Sequence, residues 1–114
     1  MLIETRAMDF TLTDSLRNHV ESRVTAALAP VDRWVVSVTA RLEDVNADHG
    51  GVDKRCKLVI GLRKYGTLVA EATESDLYVA IDQAADRIRT SAVKAVRRHT
   101  PAERHDRQRP GALV

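Results

Sequence analysis

Apolar side chains recur along this chain with two different periods, and the switches between periods divide it into six segments. The longest runs from 75 to 100. Leu77, Ile81, Ala84, Ala85, Ile88, Ala92, Ala95 and Val96 return at the i, i+3, i+4, i+7 spacing of one helical face. Ser75 is placed to N-cap this helix, with Asp76 in its first turn, where a negative charge suits the helix dipole. Pro101 is expected to close it, because a proline disfavours helical geometry in the residue before it. At about 1.5 Å per residue such a helix is roughly 36 Å long.

Upstream, Leu2 to Met8 is short, contains β-branched residues and reads as a first strand. Thr13 and Asp14 signal a helix start. Leu16, Val20, Val24, Ala27 and Leu28 form the buried stripe of that helix up to Pro30, with Arg17, Asn18, Glu21, Ser22 and Arg23 on its wet side. From Trp34 to Asp44 the period changes to two. Trp34, Val36, Val38, Ala40 and Leu42 are expected on one face, and Val35, Ser37, Thr39, Arg41 and Glu43 on the other. After a Gly-containing loop at 46–51, Asp53 to Arg63 alternates again, with Cys56, Leu58, Ile60 and Leu62 inward and Arg55, Lys57, Val59, Gly61 and Arg63 outward. Lys64-Tyr65-Gly66 makes a tight hairpin into Thr67 to Thr73, whose inward residues are Leu68, Ala70 and Ala72.

The order β-α-β-β-β-α predicts an α+β fold. It is a two-layer sandwich in which two helices cover one face of a four-stranded, mainly antiparallel sheet. Beyond Pro101 no apolar period continues. Residues 1–100 are therefore read as one domain and 101–114 as a flexible basic C-terminal tail.

Charge sharpens the picture by its placement. The 114 residues carry a net charge of only +2. Between Arg87 and Arg109, however, eight Lys or Arg face two acids, so this stretch holds +6 and the remainder −4. An acidic body with a basic end is the asymmetry of a surface that meets a polyanion. On a helical wheel Arg87, Lys94 and Arg98 fall within roughly 40° of one another. With Arg89 and Arg97 they form a candidate phosphate-binding ridge. Lys54, Arg55, Lys57, Arg63 and Lys64 add a second basic segment, and Tyr65 between bases is a candidate for stacking on a nucleotide. Solvated charge and complement to the helix dipole are the plainer alternatives for the same residues.

Other chemistries find little support. The four histidines and one cysteine show no metal-ligand spacing. No nucleophile elbow, P-loop or dinucleotide fingerprint is present, so neither an enzyme nor a cofactor is expected. His49 and Asp53 beside two glycines read as a turn, and Asp82 with Asp86 as exposed ion-pairing residues. Cys56, on an inward strand face, is expected to be an inert core thiol. With neither a secretory leader nor a membrane span visible, the default expectation is a soluble, cytoplasmic chain.

Two stretches carry a resemblance. Leu-Thr-Asp-Ser-Leu-Arg-Asn-His-Val (12–20) and Ala-Thr-Glu-Ser-Asp-Leu-Tyr-Val-Ala-Ile-Asp (72–82) are similar to the helix openings of the ribosome hibernation promoting factors and ribosome-associated inhibitors, once described as sigma-factor modulation proteins. The segment 50–56 is not part of that pattern. The resemblance implies a short, single-domain form of the same β-α-β-β-β-α fold. It also implies binding to the small ribosomal subunit and its ribosomal RNA, in the channel for messenger and transfer RNA, as a stress-response silencer of translation in stationary phase. The RNA contacts carried over are Arg87, Arg89, Lys94, Arg97 and Arg98. No cofactor, small-molecule substrate or membrane partner is implied, and a monomer is favoured. A protein-interaction module on the same fold, working through the open sheet face or the alanine-rich helix, is the alternative.

Overall fold

The computed structural model describes residues 1–45 and 53–108, with 99–108 as backbone alone. The loop expected at 46–51 and the tail from 109 to 114 lie outside the described residues. The elements follow the expected order: β1 (Leu2–Met8), α1 (Asp14–Leu28), a 3-10 segment (Ala29–Trp34), β2 (Val35–Asp44), β3 (Lys54–Leu62), β4 (Gly66–Glu74) and α2 (Leu77–Gln108). The strands lie side by side in sequence order. β1 runs parallel to β2 through the α1 crossover, and β2, β3 and β4 form an antiparallel meander.

Both helices cover one sheet face. Val38 and Ile60, Ala40, Leu58 and Ala70, and Leu42, Cys56 and Ala72 are cross-strand neighbours on that face. They pack against Leu16, Val20, Val24 and Leu28 of α1 and Ile81, Ala84, Ile88 and Ala92 of α2. Fully burying each Leu, Ile or Val contributes about 1.5–3 kcal/mol, so this seam holds the layers together. The opposite sheet face is open, and Val36 and Val69 on it are about half exposed.

Thr13 caps α1 as expected, its Oγ1 accepting from the Leu16 N–H at 3.1 Å. Three local expectations are corrected. β2 carries an irregularity between Val35 and Ser37, so Val35 is buried at 4 % exposure and Val36 points outward at 53 %. A bulge inserts one residue and so inverts the alternation before it. The cap of α2 is Asp76, not Ser75. Its Oδ1 accepts from the Tyr78 N–H at 2.7 Å, and its carbonyl accepts from the Ala80 N–H at 3.0 Å. Finally, α2 does not stop at Pro101 but continues to Gln108. Proline's fixed φ is compatible with a helix, so Pro101 removes one backbone N–H from the ladder but does not end the element.

Length then positions the surface. The 32 residues of α2 span about 48 Å, against about 30 Å for the nine residues of β4. α2 starts where β4 ends and returns over the sheet. Its second half therefore arrives at, and passes, the end that carries the β3–β4 hairpin.

Candidate nucleic-acid interface

The two helices meet through a polar ladder of constant offset. Ser15 Oγ lies 2.6 Å from Tyr78 Oη, and His19 Nε2 lies 2.7 Å from Asp82 Oδ1. Arg23 donates from Nε to Asp82 at 2.9 Å and from Nη2 to Asp86 at 3.5 Å. Residues 15, 19 and 23 thus meet 78, 82 and 86, four apart on each helix, which requires α1 and α2 to run parallel. His19 and Tyr78 also pack edge to face, with ring centroids 5.0 Å apart. Asp82 and Asp86 of α2 therefore pair with α1. Both form the ion pairs expected from sequence, with Asp86 exposed and Asp82 part-buried, but their partners lie on α1, and Arg23 is a half-buried ladder member rather than a wet-side residue.

α1 ends at Leu28, while α2 continues. Arg89, Lys94, Arg97 and Arg98 are exposed and, among the described residues, have no ion-pair partner. With Thr90 and Val93 they border an open depression. The cationic half of the helix is left over because the helix that neutralises the first half is shorter.

The hairpin end adds to this surface. Val93 and Val96 pack against the core, as do Trp34 and Tyr65. The Trp34 and Tyr65 rings meet edge to face at 5.2 Å. The Arg33 guanidinium lies 5.0 Å from the Trp34 ring centre and Lys64 Nζ lies 5.8 Å from it. The Arg63 N–H donates to the Trp34 carbonyl at 2.7 Å, tying the hairpin to the start of β2. Lys64 at φ 77° and Gly66 at φ 85° close the turn. Arg63 and Lys64 thus join Lys94, Arg97 and Arg98 at one end. Tyr65 is half-buried as part of the hairpin's packing rather than a free stacking ring.

Four expected RNA contacts lie elsewhere. Arg87 donates to the Glu71 carbonyl on the outer edge of β4 at 2.6 Å. Lys54 sits at the far end of the sheet, 2.9 Å from Asp53 Oδ1 and 3.1 Å from Asp44 Oδ2. Those two carboxylates, Asp53 first, raise the pKa of its ammonium. Arg55 forms a forked pair with Glu43 at 2.9–3.2 Å. Lys57 lies on the open sheet face, in cross-strand register with Arg41, itself opposite Arg6.

Sequence reasoning passed over Arg33, Trp34, Arg6 and Arg41 as site residues. Arg41 carried a visible signal, its outward parity on β2. Arg33 and Trp34 carried only their adjacency, and their placement depends on the 3-10 segment before β2. Cys56 is fully buried, and burial pushes its thiol up to about 12, as an inert core residue requires. Among the described residues no cluster of three metal-ligating side chains forms, and no helix is long and apolar enough to cross a membrane.

Comparison with known proteins places this geometry. No curated protein matches the chain by sequence. A ribosomal subunit interface protein from Coxiella burnetii shares the fold, with a TM-score of 0.72 at 18% identity over 82% of this chain and 96% of that one. The N-terminal domain of Thermus thermophilus Protein Y aligns with a TM-score of 0.63 at 26% identity, covering 80% of this chain and 94% of its own. The model of one family, described as sigma 54 modulation protein / S30EA ribosomal protein, matches residues 3–100, from β1 into the unpaired basic half of α2. The chain belongs to that family.

Proposed function

We propose that this chain is a ribosome-associated translation inhibitor. It binds the small ribosomal subunit through ribosomal RNA phosphates and occupies the channel for messenger and transfer RNA. The observation that carries this reading is the segregation of charge along α2. Asp82 and Asp86 in its first half are matched by His19 and Arg23 of α1, while Arg89, Lys94, Arg97 and Arg98 have no ion-pair partner among the described residues, at the end that carries Arg63 and Lys64. Unpaired cations on a rigid helix bind phosphate without first breaking internal pairs. The family description and the Coxiella protein's title as a ribosomal subunit interface protein support the ribosome as partner. The protein acts by occupancy, as a non-enzymatic, cytoplasmic monomer.

Binding through about five phosphates gives a logarithmic salt slope of about −3.5 to −4.5. Purified protein should sediment with small ribosomal subunits at low salt and leave them as salt rises. Lys94→Glu with Arg98→Glu should abolish the association with the fold intact. Wild-type protein remaining at the top of the gradient at low salt overturns the reading.

A further inference from the structure

The open face of the sheet holds an arrangement that folding alone does not favour. Arg6, Arg41 and Lys57 are cross-strand neighbours on β1, β2 and β3. Strands lie about 4.8 Å apart, so these like charges stand side by side, a destabilising pairing. Three acids share the face. Glu4 pairs with Arg6 at 3.1 Å, and Glu43 is held by the Arg55 fork. Glu71 follows Lys57 in the row but makes no ion pair with it. Arg41 and Lys57 therefore have no ion-pair partner among the described residues, although Glu71 stands directly across from Lys57. Arg6, Thr39, Arg41, Lys57 and Val59 line one shallow depression, which places a hydroxyl beside the cations.

We propose that this depression is a second phosphate-binding site, with Arg41 and Lys57 as its charges and Arg6 and the Thr39 hydroxyl at its rim. Its ligand is the backbone of an RNA segment on the opposite side of the protein from α2. The surroundings decide between an RNA backbone and a free nucleotide. A nucleotide site is concave and encloses most of its ligand. This depression lies on an open sheet between Val59 and Arg55 with none of the described residues above it, which suits an extended polyanion passing across. The proposal rests on the ribosomal reading and deepens it, because the protein would then be gripped from both layers.

The test uses the full chain, purified small ribosomal subunits, and the variants Arg41→Gln/Lys57→Gln and Lys94→Gln/Arg98→Gln. Removing two phosphate contacts at a slope of about 0.7 each makes the loss of affinity between 50 and 200 mM salt about sevenfold smaller. That change is expected for the sheet variant as well as for the helix variant. The melting temperature of the sheet variant should hold or rise, since a like-charge pair is removed. Wild-type affinity and salt slope in the sheet variant, with the helix variant impaired, overturn this site and leave the ribosomal reading standing. Failure of the wild-type protein to bind overturns that reading itself. A lower melting temperature in the sheet variant shows the two cations to be structural and also overturns the site. Titration with ATP separates the two phosphate sources. Tight ATP binding lost in the sheet variant, with subunit binding unchanged, assigns the depression to a nucleotide and rejects the RNA backbone.

Discussion

His19 Nε2 lies 2.7 Å from Asp82 Oδ1, joining two residues separated by 63 positions in the chain. The same oxygen accepts from Arg23 Nε at 2.9 Å. One carboxylate on α2 thus fixes the register of both helices, and Ser15–Tyr78 and Arg23–Asp86 repeat the offset one turn to either side. This relationship also divides α2 by function. Where α1 lies alongside, the helix is neutralised and anchored. Beyond Leu28 it carries charge that the fold does not use.

Asp82 is therefore the residue whose loss unlinks the helices. Asp82→Ala leaves half-buried His19 without its acceptor and Arg23 with only its longer contact to Asp86. Partly exposed ion pairs contribute up to about 1 kcal/mol each. A loss of about 1–2 kcal/mol is expected, with the melting temperature falling by several degrees (about 4–8 °C per kcal/mol for a domain of this size). Thermal unfolding followed by circular dichroism measures it. An unchanged melting point contradicts the anchoring role.

Stability should fall on the alkaline side. The Cys56 thiol is held at about 12 against an ordinary 9.0, so the folded state keeps a proton that the unfolded chain releases above pH 9. Lys54, raised by Asp53 and Asp44, acts in the same sense at higher pH. For both groups the contribution is complete below the unfolded pKa and is lost as pH rises through the folded value. Urea unfolding should give constant stability from pH 7 to 9 and a decline above it. Cys56→Ala should flatten the first part of that decline. In the native protein Cys56 should react with thiol reagents only as fast as the protein unfolds.

The irregularity at the start of β2 makes a paired prediction. Val35→Ala removes buried methyl groups and should cost about 2 kcal/mol. Val36→Ala, on the open face, should stay within about 0.5 kcal/mol of wild type. Equal costs, or the reverse order, contradict the observed register.

These comparisons show what periodicity can and cannot convey. The stripes of α1 and α2 and the inward sets of β3 and β4 were legible because each is a period that burial enforces. Val35 and Val36 were misassigned because a bulge leaves no mark in an alternation of valines. The cap moved from Ser75 to Asp76, since two adjacent capping residues offer the same signal. Asp82 and Asp86 were legible as ion-pairing residues, but their partners His19 and Arg23 lie on another element and could be named only once the two helices were placed. The same holds for the basic residues. Composition located them along the chain, but only the structure separates Lys54 and Arg55, held by acids, from Lys94 and Arg98, which have no ion-pair partner among the described residues.

That separation predicts a partition between stability and binding. Arg55→Gln breaks a forked pair with Glu43, whose side chain is about one-fifth exposed. It should lower the melting temperature while leaving association with small subunits nearly unchanged. Arg87→Gln, which frees the Glu71 carbonyl at the sheet edge, should behave the same way. Arg97→Gln and Arg98→Gln should do the opposite. Each leaves the melting temperature unchanged and reduces the salt slope by about 0.7–0.9, the share of one phosphate contact. Measuring both quantities for all four variants is decisive, since a cation that serves the fold and one that serves the partner move different readouts. Loss of binding in Arg55→Gln equal to that in Arg98→Gln would contradict the division of labour that α1 imposes on α2.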